Sequence, residues 1–415
     1  MNKNPLSKEI KNCQICNSSN LKSILFIGNL PPVNQMIDIK STSPEQVYFP
    51  LELVRCKECS HVQINRLIES KILFPDSYPY LTGTTKILIK NFYKLFLEAR
   101  KIIGLKANDL IIDIGSNDGT LLENFKNFGC KVLGIEPTQA SIEAKKKNIK
   151  TLVSYFNEST VDSILKKFER PKIITATNVF AHMEDPNKLV KLIAKMMNRD
   201  SVFISESHYL CSLIKTLQYD TVYHEHLRYY HLGALRILFE KNNLEIFHAK
   251  KIPTHGGSIR VYAARKNSYQ KTPDLKKILR EESKIGISND EIYNSFTKKV
   301  INSKIKLLQL LVNLKLRKKK IFGIGAPSRA STLINYVGID EDLVSCILEV
   351  KHSNKLNKFI PGTKIPVIDE NIIFDNPPDY LLIFSWHINK ELINIFRRKG
   401  YRGKFIIPLP KPKVI

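Results

Sequence analysis

Residues 108–125 read NDLIIDIGSNDGTLLENF, and this stretch decides the fold. Leu110 to Ile114 is a short run with the pattern of a buried strand. The small polar turn Gly115-Ser116-Asn117-Asp118-Gly119 follows it, and Thr120 opens a helix. A second strand from Lys131 to Ile135 then ends on Glu136-Pro137. Strand, glycine turn, helix and strand in that order form the nucleotide-binding half of a doubly wound sheet. An acid at the end of the second strand is placed to take both hydroxyls of a ribose.

The turn is not a dinucleotide fingerprint, because Gly-x-Gly-x-x-Gly is absent. Asp113-x-Gly115-x-x-x-Gly119 instead matches the turn used for S-adenosylmethionine, which brings no pyrophosphate to cradle. An acid in that turn also suits the sulfonium and amino groups of that cofactor. Asn117, Asp118, Glu136 and Pro137 complete the expected contacts. Residues 172–182, KIITATNVFAH, read as the fourth strand and its following loop. Open α/β sheets hold ligands at the carboxyl ends of their strands, which puts Asn178 and His182 beside the cofactor.

The chain has 415 residues, too many for one ordinary core, so two or three domains are expected. With 43% hydrophobic residues it is globular. No run is apolar enough to span a bilayer, and the start, MNKNPLSKEIKNC, has no signal-peptide core. We therefore expect a cytoplasmic protein without a membrane partner. The formal charge of +26 comes with lysine, asparagine and isoleucine throughout, which reads as compositional bias. Basic and aromatic residues are not concentrated on one stretch, so nucleic acid is not an expected partner.

Four of the seven cysteines form two pairs, Cys13-x-x-Cys16 and Cys56-x-x-Cys59. Each pair can turn tightly and aim two thiolates at one point, and four sulfurs make a tetrahedral site suited to zinc. With every position taken by sulfur there is no open place for water, so the expected metal is structural.

Seven of the ten histidines lie between His182 and His255, three of them within residues 223–231, YHEHLRYYH. Histidine is apt as a base because it titrates near neutral pH. In an extended segment Tyr223 and Glu225 would face away from His224 and His226; in a turn that parity does not hold. Further on, Thr254-His255-Gly256-Gly257-Ser258 reads as a polar turn feeding a strand that carries Arg260. Its glycines allow close backbone approach to a ligand, and the arginine can pair with phosphate or carboxylate. Residues 292–316 have a leucine-rich helical face. Residues 320–327, KIFGIGAP, open a second strand and glycine turn, with later strands at 344–349, 379–386 and 404–408.

Together these residues resemble the nucleotide-sugar C-methyltransferases of deoxysugar biosynthesis, over essentially the whole chain. The resemblance rests on the two cysteine pairs with Pro31-Pro32 and Tyr48-Phe-Pro50-Leu51-Glu52-Leu53 between them. It continues through Asp113-Ile-Gly115-Ser-Asn117-Asp118-Gly119-Thr120, Gly134-Ile-Glu136-Pro137, Tyr223-His224-Glu225-His226 and His255-Gly256-Gly257-Ser258-Ile-Arg260. It ends with Gly323-Ile-Gly325-Ala326-Pro327, Pro361-Gly362-Thr363 and Ser385-Trp386-His387. The chain departs from the family pattern at Ser328-Arg329-Ala330-Ser331, at Glu349 and Lys351-His352-Ser353, and at His387. These departures leave the nucleotide and the sugar open.

The resemblance implies an α/β protein of three parts. They are a zinc-binding module at 1–80, a Rossmann-like S-adenosylmethionine methyltransferase domain at 81–268, and a helical connection with a Rossmann-like nucleotide-sugar domain at 269–415. It implies methylation of a ring carbon, commonly carbon 3, in a nucleotide-linked 4-keto-6-deoxyhexose; separately from the resemblance, a monomer is expected. His226 is then the base, Glu225 orients it or the sugar, Tyr223 bonds the sugar or the enolate oxygen, and His182 is a second donor. One tyrosine of Tyr78 and Tyr80 is expected to reach the site. His224, His255, Gly256, Gly257, Ser258, Arg260 and Arg329 are the expected substrate contacts. Two other readings share the cofactor motif: a small-molecule O- or N-methyltransferase, and a zinc-containing RNA-binding methyltransferase.

Overall fold

A computed structural model describes residues 6–41, 45–74, 81–84 and 86–415. Each of three sheets organises one region of the chain. The amino-terminal cysteines sit on a four-stranded antiparallel sheet in the order Arg228–Tyr229, Val62–Ile64, Phe49–Cys56, Leu21–Leu30. The first of these strands comes from the middle of the chain.

The central sheet has seven strands, ordered Leu244–Ile252, Ser258–Arg265, Val202–His208, Ile173–Thr177, Leu110–Ile114, Lys131–Ile135, Thr151–Leu152. The last five run parallel, and the first two close one edge as an antiparallel hairpin. Leu110–Ile114 and Ile173–Thr177 are buried at every residue. That follows from helices packing on both faces, which makes a parallel strand apolar on both sides. Helices Lys86–Ile103 and Thr120–Asn127 cover one face through Phe92, Leu95, Phe96 and Phe125. Pro186–Met196 brings Leu189, Val190 and Ile193 to a second core. Asp185 starts that helix by accepting from the Lys188 N–H, with Pro186 in the first turn.

Helices Pro273–Ile285 and Asp290–Leu316 lead into the third sheet, and the second takes in the leucine-rich face at 292–316. The sheet runs Lys413–Val414, Lys404–Ile407, Tyr380–Ile383, Ile321–Ile324, Ile347–Glu349, Pro366–Asp369, Lys358–Phe359, Ile37–Asp38. Its five middle strands are parallel. Its outermost strand, Ile37–Asp38, belongs to the amino-terminal region. Among the described residues no helix is long and apolar enough to cross a membrane.

The chain order reverses beside Leu110–Ile114 in the central sheet and beside Ile321–Ile324 in the third. Such switch points open a crevice at the carboxyl ends of the strands. In both sheets the acid ending the next strand accepts from the glycine turn. Asn117 N–H donates to Glu136 at 2.9 Å, and Ala326 N–H donates to Glu349 at 2.9 Å.

Candidate active site and metal centre

The four cysteine sulfurs Cys13, Cys16, Cys56 and Cys59 lie within 4.8 Å of one another. Cys13 and Cys59 are 3.5 Å apart, and Cys16 and Cys56 are 3.4 Å apart. A tetrahedron with Zn–S bonds of about 2.3 Å has edges of about 3.8 Å, so the set fits zinc with small adjustment. Four thiols this close do not ionise alike. The hydrogen bond from Cys59 lowers Cys13 to about 5, while burial pushes Cys16 up to about 11. A dication at the centre favours the thiolate at all four. His61 is outside the sulfur group; it is buried and stacked on Tyr230 at 5.6 Å.

At the switch point of the central sheet, Asp113 is buried and accepts from Thr175 Oγ1 at 2.6 Å. Burial pushes its carboxyl up to about 7, and the charges of Glu136 and Glu206 push the same way. A cationic ligand in this crevice would relieve that strain, which suits S-adenosylmethionine. Gly115 has φ +68°, and a Cβ there would stand 2.5 Å from Val179, so this turn has no room for a side chain. Gly119, at φ +74°, enters the following helix. Asn178 has φ +58° at the end of its strand, and its Oδ1 is buried without a hydrogen-bond partner among the described residues. That orphaned acceptor needs a donor, and the crevice is where one would come from. Glu136 accepts from Asn117 N–H and from Thr138 N–H and Oγ1, and Pro137 follows it half-buried.

Asn117 and Asp118 do something the sequence did not disclose. Asn117 Oδ1 accepts from Thr82 N–H at 2.9 Å and from Thr82 Oγ1 at 2.7 Å. Asp118 Oδ2 accepts from Gly83 N–H at 2.7 Å. The two side chains therefore fasten the turn Thr82–Thr84 onto the glycine loop. Tyr78 and Tyr80, just before it, lie outside the described residues.

Residues 223–226 form a turn, with His226 N–H donating to the Tyr223 carbonyl at 2.9 Å. The turn brings Tyr223 and His226 to one side and sends His224 to the other. Tyr223 Oη and His226 Nε2 are 2.9 Å apart, with ring centroids at 4.0 Å. His226 Nδ1 lies 2.9 Å from the Thr221 carbonyl. A carbonyl only accepts, so Nδ1 carries the proton and Nε2 keeps a lone pair toward the Tyr223 hydroxyl. Burial, then the neighbouring His182, hold His226 well below the usual histidine range. It is neutral at pH 7 and able to take a proton.

Three more histidines surround it, each from a different strand end. His182 is 5.0 Å from His226 between ring centroids, and His208 is 4.7 Å. His255 is 5.6 Å from His208. His182 Nδ1 meets the Glu225 carbonyl at 2.6 Å, and burial lowers its pKa to about 4. A carbonyl only accepts, so Nδ1 carries a proton toward Glu225. The Glu225 side chain accepts from Asn34 Nδ2 at 2.7 Å.

The expected substrate contacts divide. His255 stands at the cluster with φ +54°, and its buried Nε2 has no hydrogen-bond partner among the described residues. His224 does not: its Nε2 is 3.3 Å from the Pro50 carbonyl and its ring packs edge-on against Phe49. It joins the amino-terminal sheet to the turn. Arg260 is 1% exposed, and protein carboxylates already surround its guanidinium. Nε donates to Glu206 at 2.5 Å, Nη1 to Glu98 at 3.2 Å and Nη2 to Asn91 at 3.1 Å. No ligand phosphate is needed to explain it. The glycines at 256 and 257 serve protein packing. A Cβ at Gly256 would meet Gln218 at 2.5 Å, and one at Gly257 would meet Ser212 at 2.5 Å. Ser258 Oγ donates to the Thr254 carbonyl inside the same turn.

Arg329 reaches the site from the third sheet. Its Nε and Nη2 donate to the two oxygens of Asp220 at 2.7 and 2.8 Å. Trp386 Nε1 donates to the same carboxylate at 2.8 Å, and His387 Nδ1 lies 3.2 Å from Arg329 Nη1. The carboxyl ends of both sheets therefore meet at residues 220–226.

Sequence reasoning missed His208, Asp220 and Asn34. His208 closes Val202–His208, so its signal was position: the carboxyl end of a strand next to the switch point. Asp220 and Asn34 belong to no motif.

Comparison with known proteins gives matches along most of the chain. Residues 253–410 match the family described as "C-methyltransferase C-terminal domain", and residues 88–249 match "Methyltransferase domain". Residues 13–74 match "Putative zinc binding domain". The chain is 28% identical over 414 residues to the C-methyltransferase NovU of Streptomyces niveus, covering 98% of this chain and 97% of that protein. Over 97 residues it is 31% identical to the ubiquinone biosynthesis O-methyltransferase of Rhodopseudomonas palustris, covering 23% of this chain and 38% of that one. Among solved structures, the magnesium protoporphyrin IX methyltransferase of Synechocystis with bound S-adenosylmethionine is 14% identical. That match covers 43% of this chain and 78% of the other, with a TM-score of 0.32.

Proposed function

We propose that this chain, which belongs to the S-adenosylmethionine-dependent C-methyltransferases with a zinc-binding domain, methylates a ring carbon of a nucleotide-linked 4-keto-6-deoxyhexose, with carbon 3 as the position. The observation that carries the reading is the hydrogen-bonded line Tyr223–His226–Thr221, set between the carboxyl ends of two doubly wound sheets.

A carbon next to a ketone is acidic enough for a positioned histidine to deprotonate. Thr221 holds the His226 proton on Nδ1, so Nε2 presents its lone pair. The Tyr223 hydroxyl shares its proton with that nitrogen. The Tyr223–His226 pair accepts the proton from the ring carbon, and the electron pair of that C–H bond passes into the enolate. The bound cofactor supplies an electrophilic methyl group. Asp113, Gly115, Glu136 and Asn178 would hold the cofactor, and burial of His226 keeps water from the enolate.

The test is product mass after incubation with S-adenosylmethionine and thymidine- or guanosine-linked 4-keto-6-deoxyhexoses. Gain of one methyl with loss of the ring-carbon proton is expected. His226→Asn should lose that activity by roughly 10²–10⁴-fold and keep cofactor affinity. Wild-type turnover in the variant, or a methyl found on oxygen, overturns the reading.

A further inference from the structure

We propose that Arg329 is a positioning residue for the base: by clamping Asp220 it holds the Tyr219–Thr221 turn so that the Thr221 carbonyl fixes the His226 tautomer. This rests on the reading of His226 as the base.

The clamp is a two-pronged ion pair, with both oxygens of Asp220 met by Arg329 at 2.7 and 2.8 Å. Such fork-to-carboxylate pairs fix orientation as well as distance. Asp220 is 0% exposed and Arg329 is 7% exposed, so water does not loosen the pair. Trp386 reinforces it twice, through Nε1 to Asp220 at 2.8 Å and through its ring, 4.9 Å from the guanidinium carbon. One turn further along helix Ser328–Val337, Thr332 Oγ1 donates to the Val222 carbonyl at 3.1 Å. The helix thus grips residues 220 and 222, and the peptide between them belongs to Thr221.

The Thr221 carbonyl accepts from His226 Nδ1 at 2.9 Å and from Tyr229 Oη at 3.1 Å. If that carbonyl turns away, His226 Nδ1 loses its acceptor and only the Tyr223 hydroxyl at Nε2 still favours the Nδ1 proton. The proton can then settle on Nε2, and the lone pair needed for proton abstraction is gone. Arg329 also adds its positive charge to the groups that face His226, which are His182, His208, Tyr223, Tyr229 and His255. Its removal therefore relaxes geometry and field together, whereas lysine restores charge without the fork.

The experiment is nitrogen NMR on full-length, zinc-loaded protein with 15N-labelled histidine, with His226 assigned by difference from His226→Gln. Wild type should show His226 with protonated Nδ1 and bare Nε2. Arg329→Gln should mix the two tautomers and raise the His226 titration midpoint. Turnover should fall by roughly 10²-fold with KM for the nucleotide sugar little changed. Arg329→Lys should keep a midpoint near wild type and still mix the tautomers. If Arg329→Gln does not fold, Trp386→Phe removes the Nε1 bond and part of the ring contact and should produce a smaller change of the same kind. Unchanged His226 signals in the folded variants overturn the proposal. Failure of His226 as base shows separately, as methylation surviving in His226→Asn whatever the spectra report.

Discussion

Asn34 Nδ2 donates to Glu225 Oε1 across 2.7 Å, joining side chains 191 positions apart. The same Asn34 accepts from Ser328 Oγ through Oδ1 at 2.9 Å. One amide thus ties the amino-terminal region, the histidine turn and the helix Ser328–Val337 of the third region.

Asn34→Ala removes a hydrogen bond to a carboxylate, worth about 1.5–3 kcal/mol. Turnover should fall by roughly 10- to 100-fold while zinc content and cofactor affinity stay unchanged. Asn34→Asp should be worse, because it faces Glu225 with like charge. Steady-state kinetics with calorimetric cofactor titration checks this, and unaltered turnover in both variants would contradict it.

Arg260→Met should act on stability. It leaves Glu206, which is 0% exposed, without its cation. Breaking a buried pair from one side costs about 3–5 kcal/mol. Urea unfolding should record that loss, and the surviving folded enzyme should keep its KM. A raised KM at unchanged stability would instead put Arg260 on the substrate.

Removal of zinc should reach beyond the cysteines. Strand Arg228–Tyr229 pairs with Val62–Ile64, and Ile64 N–H donates to the Leu227 carbonyl at 3.0 Å. Cys16→Ser, or strong chelation, should abolish bound metal and raise amide exchange in 62–64 and in 227–229 together. Exchange confined to the amino-terminal residues would separate the metal from the histidine turn.

Acid should destabilise the fold below pH 6.5. Burial lowers His182, His224 and His255 to about 4 and His387 to about 3. The unfolded chain binds those protons first, so stability falls as pH drops from 6.5 toward 4. Asp113, raised to about 7, works in the opposite direction over the same window but is outnumbered. The urea midpoint should therefore be lower at pH 5 than at pH 7. An equal or higher midpoint at pH 5 would mean that these histidines are not buried neutral.

Much of the cofactor crevice was legible along the chain. Leu110–Ile114, the glycine turn and Lys131–Ile135 form locally, because a doubly buried strand must be continuously apolar and the turn needs positive φ at Gly115. The cysteine spacing likewise announced its own cluster, since each pair spans only four residues.

The histidine site was legible in composition and not in arrangement. Whether His224 or His226 faces the histidine cluster depends on the backbone of 223–226, and only the folded turn pairs residue 223 with 226. Arg260 and Arg329 look alike in sequence, yet one closes an ion network with Glu206 and Glu98 and the other pairs with Asp220. Local propensity and spacing determined the strand–turn–helix elements, the glycine turn and each cysteine pair, because those depend on neighbours in the chain. The partners of Asn34, Asp220, Arg260 and His226 were decided only by tertiary structure, because a charge or hydrogen bond is satisfied by whatever group burial brings within about 3 Å.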